Sequence, residues 1–118
     1  MTTRYLILHL TDSTGTSLPG EEDRRLLERW ATDGDAAGRL LDGGPVGPAA
    51  QSCAVTVRGG ETRIEPSAVP GSSERVVGFD VITAASLDEA AQYMAGHPTA
   101  IQGRILVLPI VRLPWETE

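Results

Sequence analysis

Lysine and asparagine are absent from this 118-residue chain, cysteine occurs once, and aromatic residues make up only 4%. Each shortage excludes something. Without lysine there is neither a Schiff-base amine nor a Walker A phosphate loop. Without asparagine there is no acceptor for N-linked glycans. With Cys53 alone, an intrachain disulfide and a Cys-x-x-Cys metal site are both impossible. Cys53 precedes the strand-like run Ala54-Val55-Thr56-Val57 and is expected to be a small buried side chain. Apolar runs end after about ten residues, short of the roughly 20 that a membrane-spanning helix needs. The opening Met1-Thr2-Thr3-Arg4 carries no signal-peptide pattern, so a cytoplasmic protein without membrane contact is expected.

The charge is also one-sided. The net charge is −6, and all ten basic residues are arginines scattered among sixteen carboxylates. Their one cluster, Arg24, Arg25 and Arg29, is interleaved with Glu21, Glu22, Asp23 and Glu28. That is a solvated helix face with local ion pairs, not a phosphate-binding patch. Nucleic acid is therefore excluded as a partner. Hydrophobic residues at 41% and charged residues at 22% fit one globular domain over residues 1–118, with 114–118 as a tail.

What is present reads as alternating elements. Residues 4–11 form an apolar run bounded by Asp12-Ser13-Thr14-Gly15, a strand buried on both faces. Leu6, Leu8 and Leu10 share one face; Tyr5, Ile7 and His9 share the other. A helix is expected over 19–32, opened by Pro19 and its acidic first turn, and closed by Thr32-Asp33-Gly34. Its apolar stripe is Leu26, Leu27, Trp30 and Ala31. Residues 34–52 are glycine- and proline-rich loop with a short strand at Arg39-Leu40-Leu41. Strands at 53–58 and 61–65 flank Gly59-Gly60, a hairpin signal. Residues 66–73 are expected to be a loop, and 75–83 a second central strand. Ser86-Leu87-Asp88-Glu89 is a capping box that opens a second helix, ended by Gly96 with Pro98 beyond. A last strand over 104–113 contains Pro109, which cannot donate to a ladder, so an edge strand or a bulge is expected there.

This order predicts an α+β fold, a ferredoxin-like sandwich with an antiparallel sheet. Two helices cover one face of a sheet, yet three strands are apolar on both faces. A second copy of the chain is the expected cover, giving a homodimer that is a dimeric α+β barrel.

Gly78-Phe79-Asp80-Val81-Ile82, Ser86-Leu87-Asp88-Glu89-Ala90-Ala91, His97-Pro98 and Gly103-Arg104-Ile105-Leu106-Val107-Leu108-Pro109-Ile110 together resemble the C-terminal half of YCII-related domain proteins, most closely the DGPF-like branch. The strand at Tyr5-Leu6-Ile7-Leu8, the helix bearing Trp30 and the run Val55-Thr56-Val57-Arg58 extend the resemblance over most of the chain. It implies a dimeric α+β barrel. It also implies a regulatory setting, because DGPF-like members are often associated with extracytoplasmic-function sigma factors. A related enzyme that degrades chlorinated aromatics implies that such a barrel can be catalytic. Two departures stand out. Glu65-Pro66-Ser67-Ala68 occupies the place of the Asp-Gly-Pro-Phe motif, and the first helix lacks the histidine that founding-type members carry.

His9 and Asp80 are the candidate catalytic residues, each a polar residue in an apolar central strand. With the leucine face toward the helices, His9 is expected to point into the barrel interior. The first and third sheet strands are expected to be parallel neighbours, so Asp80 can reach His9 as a carboxylate–imidazole pair, with His9 as base and Asp80 as its orienter. Tyr5, Arg104 and Arg112 are the candidate ligand-binding residues, the arginines as anion clamps. His97 is expected to cap a helix C-terminus as an imidazolium, and Trp115 to pack on the dimer mate. No metal and no cofactor are expected. Two functions fit: a ligand-binding or regulatory module, and a cofactor-free enzyme performing proton transfer, isomerisation or elimination on a small aromatic or enolisable substrate.

Overall fold

The computed structural model describes residues 2–66 and 74–116. The elements are β1 (Thr3–Thr11), α1 (Gly20–Ala36), β2 (Leu40–Pro45), β3 (Ala54–Arg58), β4 (Glu61–Glu65), β5 (Val76–Ala84), α2 (Leu87–Met94), α3 (Thr99–Gln102) and β6 (Gly103–Pro109), with a short 3-10 turn at Ala49–Gln51. The expected loop over 66–73 lies, beyond Pro66, outside the described residues.

The protein is α+β. Four strands form an antiparallel sheet in the order β2-β5-β1-β6, and β3 and β4 form a separate antiparallel hairpin. The hairpin turns at Gly59 and Gly60, both with positive φ (58° and 78°), the backbone that a tight hairpin turn requires. β6 is an edge strand ending at Pro109, where the missing amide costs no ladder bond. The central strands β1 and β5 are antiparallel, with Ile7 opposite Asp80 and His9 opposite Gly78. This corrects the expected parallel pairing. The α1 crossover brings β2 back parallel to β1, and β5 inserts between the two, antiparallel to both.

The helices take the face opposite to the one expected. Tyr5, Ile7, Ile82 and Ala84 from the sheet pack on Trp30, Ala90 and Met94 from the helices. Leu6 and Leu8 point away and stay half-buried, as do Phe79 and Val81. Both faces of β1 are apolar, so hydrophobicity does not choose between them. Size decides. The Tyr5–Ile7 face is continued by Gly78, Ile82 and Ala84, and the small residues give the helices room to approach.

Local signals explain the element ends. Ser86 Oγ accepts from the Glu89 amide at 3.1 Å, as a capping serine does. The Glu89 carboxylate lies 3.5 Å from Arg39. α1 runs past the expected stop at Gly34, and the chain reverses instead at Gly38 (φ 69°). Gly34 is buried inside the helix because the Tyr93 hydroxyl fills the space where its side chain would be. Cys53 is exposed, not buried. It leads into a hairpin whose Val55, Val57 and Ile64 are themselves exposed.

Candidate functional site: a buried histidine–aspartate pair on a cleft

Strand alternation builds the site: His9 follows Tyr5 and Ile7 on one face of β1, and Asp80 precedes Ile82 on the same face of β5. Pairing between β1 and β5 slips between His9 and Leu10. Strict alternation would put these two residues on opposite faces, yet both are buried. His9 lies on the helix-covered side of the sheet, not on the open face expected for a barrel interior. Asp80, on the neighbouring strand, points to the same side.

The two side chains meet. His9 Nε2 and Asp80 Oδ2 are 2.6 Å apart, and both residues are buried, at 4% and 7% exposure. An ionised Asp80 accepts the proton of His9 Nε2, which leaves His9 Nδ1 as an acceptor. Among the described residues that nitrogen is buried without a hydrogen-bond partner. Gly43 packs against the carboxylate from β2, and Gly78 lets the β2 backbone approach the imidazole.

His97 completes the cluster. Its ring lies tilted against His9, with centroids 4.2 Å apart and planes 31° from parallel, and meets Trp30 edge-on at 4.8 Å. The Thr99 amide donates to His97 Nδ1 at 3.0 Å. His97 therefore serves the start of α3 as a neutral acceptor, which corrects the imidazolium cap expected at the end of α2. Burial, and then the neighbouring His9, push His97 down to about 3 from an ordinary 6.5.

The pair opens on a cleft of about 340 Å³, at the lower end of small-molecule sites, which run roughly 300–1,000 Å³. Its walls are Leu27 and Asp23 of α1, Gly44 and Pro45 of β2, Val77–Asp80 of β5, and His97–Thr99 with Gln102. Gln102 braces one wall: its amide donates to Asp23 Oδ1 at 3.0 Å, and its carbonyl accepts from the Leu18 amide at 3.2 Å.

His9 and Asp80 are thus brought together, and the other three candidates lie elsewhere. Tyr5 is a core residue at 5% exposure. Arg104 forms a two-pronged pair with Glu74 at 2.8 and 3.1 Å. Arg112 borders a surface hollow beside Thr2, Thr3 and Arg4. Among the described residues lining the cleft there is no arginine. Trp30 is core, as its place on the helix stripe predicts, and Trp115 is 75% exposed. Sequence reasoning took His97 for a cap and missed its place in the cluster. Its only sequence signal is that it precedes Pro98 at a helix break.

His9, Asp80 and His97 offer ligand atoms all within 4.8 Å of one another, and two imidazoles with a carboxylate can hold a divalent cation. The Thr99 hydrogen bond argues against that use. A nitrogen that accepts an amide proton carries none, so the His97 proton sits on Nε2. To ligate there, the ring would have to become imidazolate or release Thr99. No protein-family model matches this chain, and no curated protein matches it.

Proposed function

We propose that the cleft is the active site of a cofactor-free enzyme that moves a proton on a small, uncharged, enolisable carbonyl compound, by isomerisation or elimination. The observation that carries this reading is the buried 2.6 Å His9–Asp80 pair on the wall of a cleft. A carboxylate is costly to bury, and this one lines a space of ligand size. The geometry favours roles opposite to those expected. His9 has committed Nε2 to Asp80 and its Nδ1 is enclosed, so Asp80 is the group that meets substrate and His9 orients it. Asp23 and Asp80 both line the cleft without a compensating arginine, which favours neutral substrates over carboxylates and phosphates.

The same reading includes a homodimer built as a ferredoxin-like, dimeric α+β barrel, in keeping with the resemblance to YCII-related proteins. Support comes from the sheet face that no helix covers. Leu6 pairs with Leu108 and Leu8 with Leu106 there, and Phe79 and Val81 continue the patch from β5. The molecule is only 20 Å through its thinnest direction, about two layers of structure at roughly 10 Å each. A second copy set face to face would bury this patch.

The test is solvent-deuterium incorporation, followed by NMR, in a panel of small ketones, aldehydes and cyclic enones. Wild-type protein is expected to exchange the α-hydrogens of at least one class, and Asp80→Asn is expected to abolish that exchange. Tight binding without exchange would make the chain a ligand-binding or regulatory module instead.

A further inference from the structure

We propose that His97 is the hydrogen-bond donor that holds the substrate's carbonyl oxygen in this cleft, through the proton on its Nε2. The inference rests on the acid–base reading of the same site and adds a second catalytic group to it.

The tautomer carries the argument. The Thr99 amide donates to His97 Nδ1 at 3.0 Å, so the single proton of the neutral ring is on Nε2. The ring is held by two ring contacts, tilted against His9 and edge-on to Trp30, and it is 8% exposed. It lines the cleft together with Asp80. Burial and the neighbouring His9 hold the ring far below its usual titration range, so it stays neutral wherever the protein is folded near neutral pH. A fixed neutral N–H suits a developing oxyanion. It is preorganised, it needs no counter-ion, and it does not compete for the proton that Asp80 takes. The charged groups around it are His9 and Asp80 from the sheet and Asp23 from α1.

The step balances without a further reactant. The Asp80 carboxylate takes a proton from the carbon next to the carbonyl. The freed C–H pair becomes the new C=C bond, the carbonyl π pair moves to oxygen, and that oxygen accepts from His97 Nε2–H. In a β,γ-unsaturated substrate the enolate is a dienolate: the oxygen's pair re-forms the carbonyl, the double bonds shift by one carbon, and the γ-carbon takes the proton back from Asp80, which completes an isomerisation. In a substrate with a β-substituent the oxygen's pair re-forms the carbonyl, the enolate pair forms the Cα=Cβ bond, and the substituent leaves with its bonding pair and takes the proton from Asp80, which completes an elimination.

The probe is 4-nitrophenolate, an oxyanion on a flat ring. The full-length Asp80→Asn protein stands in for the state after proton transfer, when the carboxyl is neutral. Asp80→Asn is expected to bind the phenolate more tightly than wild type. Adding His97→Phe should weaken that binding about tenfold or more, the effect of losing a hydrogen bond to a charged group. Adding His97→Gln, which keeps an N–H donor, should restore most of it. Nitrogen-15 NMR of the wild-type ring should show Nε2–H and a bare Nδ1, with the Nε2 proton moving downfield when phenolate binds to Asp80→Asn. Equal affinity in Asp80→Asn and its His97→Phe derivative would overturn the inference. So would an Nδ1–H tautomer, or stoichiometric uptake of zinc by the ring. If deuterium exchange needs Asp80 but ignores His97→Phe, His97 loses its role and Asp80 keeps its own. If the phenolate needs His97 while wild type exchanges nothing, the acid–base reading fails and His97 remains an oxygen-binding donor.

Discussion

Gly43 faces Asp80 across the β2–β5 ladder, and a methyl group on Gly43 would occupy the space of Asp80 Oδ1. The same methyl carbon would stand 2.9 Å from Asp80 Cγ and 2.8 Å from the Phe79 carbonyl oxygen. The glycine is thus one wall of the seat in which the carboxylate reaches His9.

Gly43→Ala should therefore push the carboxylate off His9 while leaving the fold intact. The expected stability cost is about 1–3 kcal/mol, the usual range for overpacking. The expected loss of exchange activity is larger, about a hundredfold, because displacements near 1 Å at a reacting group cost that much. Thermal unfolding and the deuterium-exchange rate, measured on one sample, separate the two effects.

Gly34 and Tyr93 form a second tight pair, and here the outcome is stability alone. A methyl group on Gly34 would overlap the Tyr93 hydroxyl and lie 3.0 Å from Cζ. Among the described residues that hydroxyl is buried without a partner, and burial, followed by the nearby Asp80, pushes it up to about 12. Tyr93→Phe should be neutral or stabilising by about 1 kcal/mol, since it removes an unsatisfied polar group. Gly34→Ala should cost about 1–3 kcal/mol alone and much less on the Tyr93→Phe background. Chemical denaturation of the four proteins in the cycle measures the coupling.

His97 gives stability a specific pH dependence. Its folded value of about 3 lies below the ordinary 6.5. Between those values the unfolded chain binds a proton at this position that the folded chain does not. Stability from this group is thus complete above pH 6.5 and is lost as pH falls toward 3. The slope it contributes is at most about 1.4 kcal/mol per pH unit. His97→Gln should flatten the wild-type curve between pH 6.5 and 4.5, before most carboxylates titrate, as read by urea unfolding at each pH.

The uncovered sheet face predicts an assembly. Leu108 is 40% exposed at the edge strand, opposite Leu6. Leu108→Glu should leave the protomer folded and shift the protein from dimer to monomer in sedimentation velocity. Wild-type protein that sediments as a monomer at micromolar concentration contradicts the dimer.

The sequence made some levels of this structure legible and hid others for definable reasons. Most strands, both long helices, the Gly59–Gly60 turn and the Ser86 cap follow from period, turn chemistry and capping, which are local; β2 beyond Leu41 reads as loop because Gly43, Gly44 and Pro45 carry no strand pattern, and the last strand ends at Pro109 rather than at residue 113. His9 and Asp80 were visible because polar residues interrupt apolar strands. The side of the sheet was not visible, because Leu6-Leu8 and Tyr5-Ile7 are equally apolar and the small residues that admit the helices come from β5. The bulge between His9 and Leu10 has no local signal at all. It arises from pairing with β5, where Leu10 meets Val76 and Val77 is passed over. Cys53 was misread because its apolar neighbours belong to a hairpin whose valines remain exposed.

The most direct test of the central claim is the rate of α-hydrogen exchange, wild type against Asp80→Asn, on the best carbonyl compound of the panel. If Asp80 is the group that takes the proton, the rate should fall by about a hundredfold or more, the range for loss of a general base, with the fold and the thermal midpoint essentially retained. An Asp80→Asn protein that exchanges its substrate as fast as wild type would contradict the account.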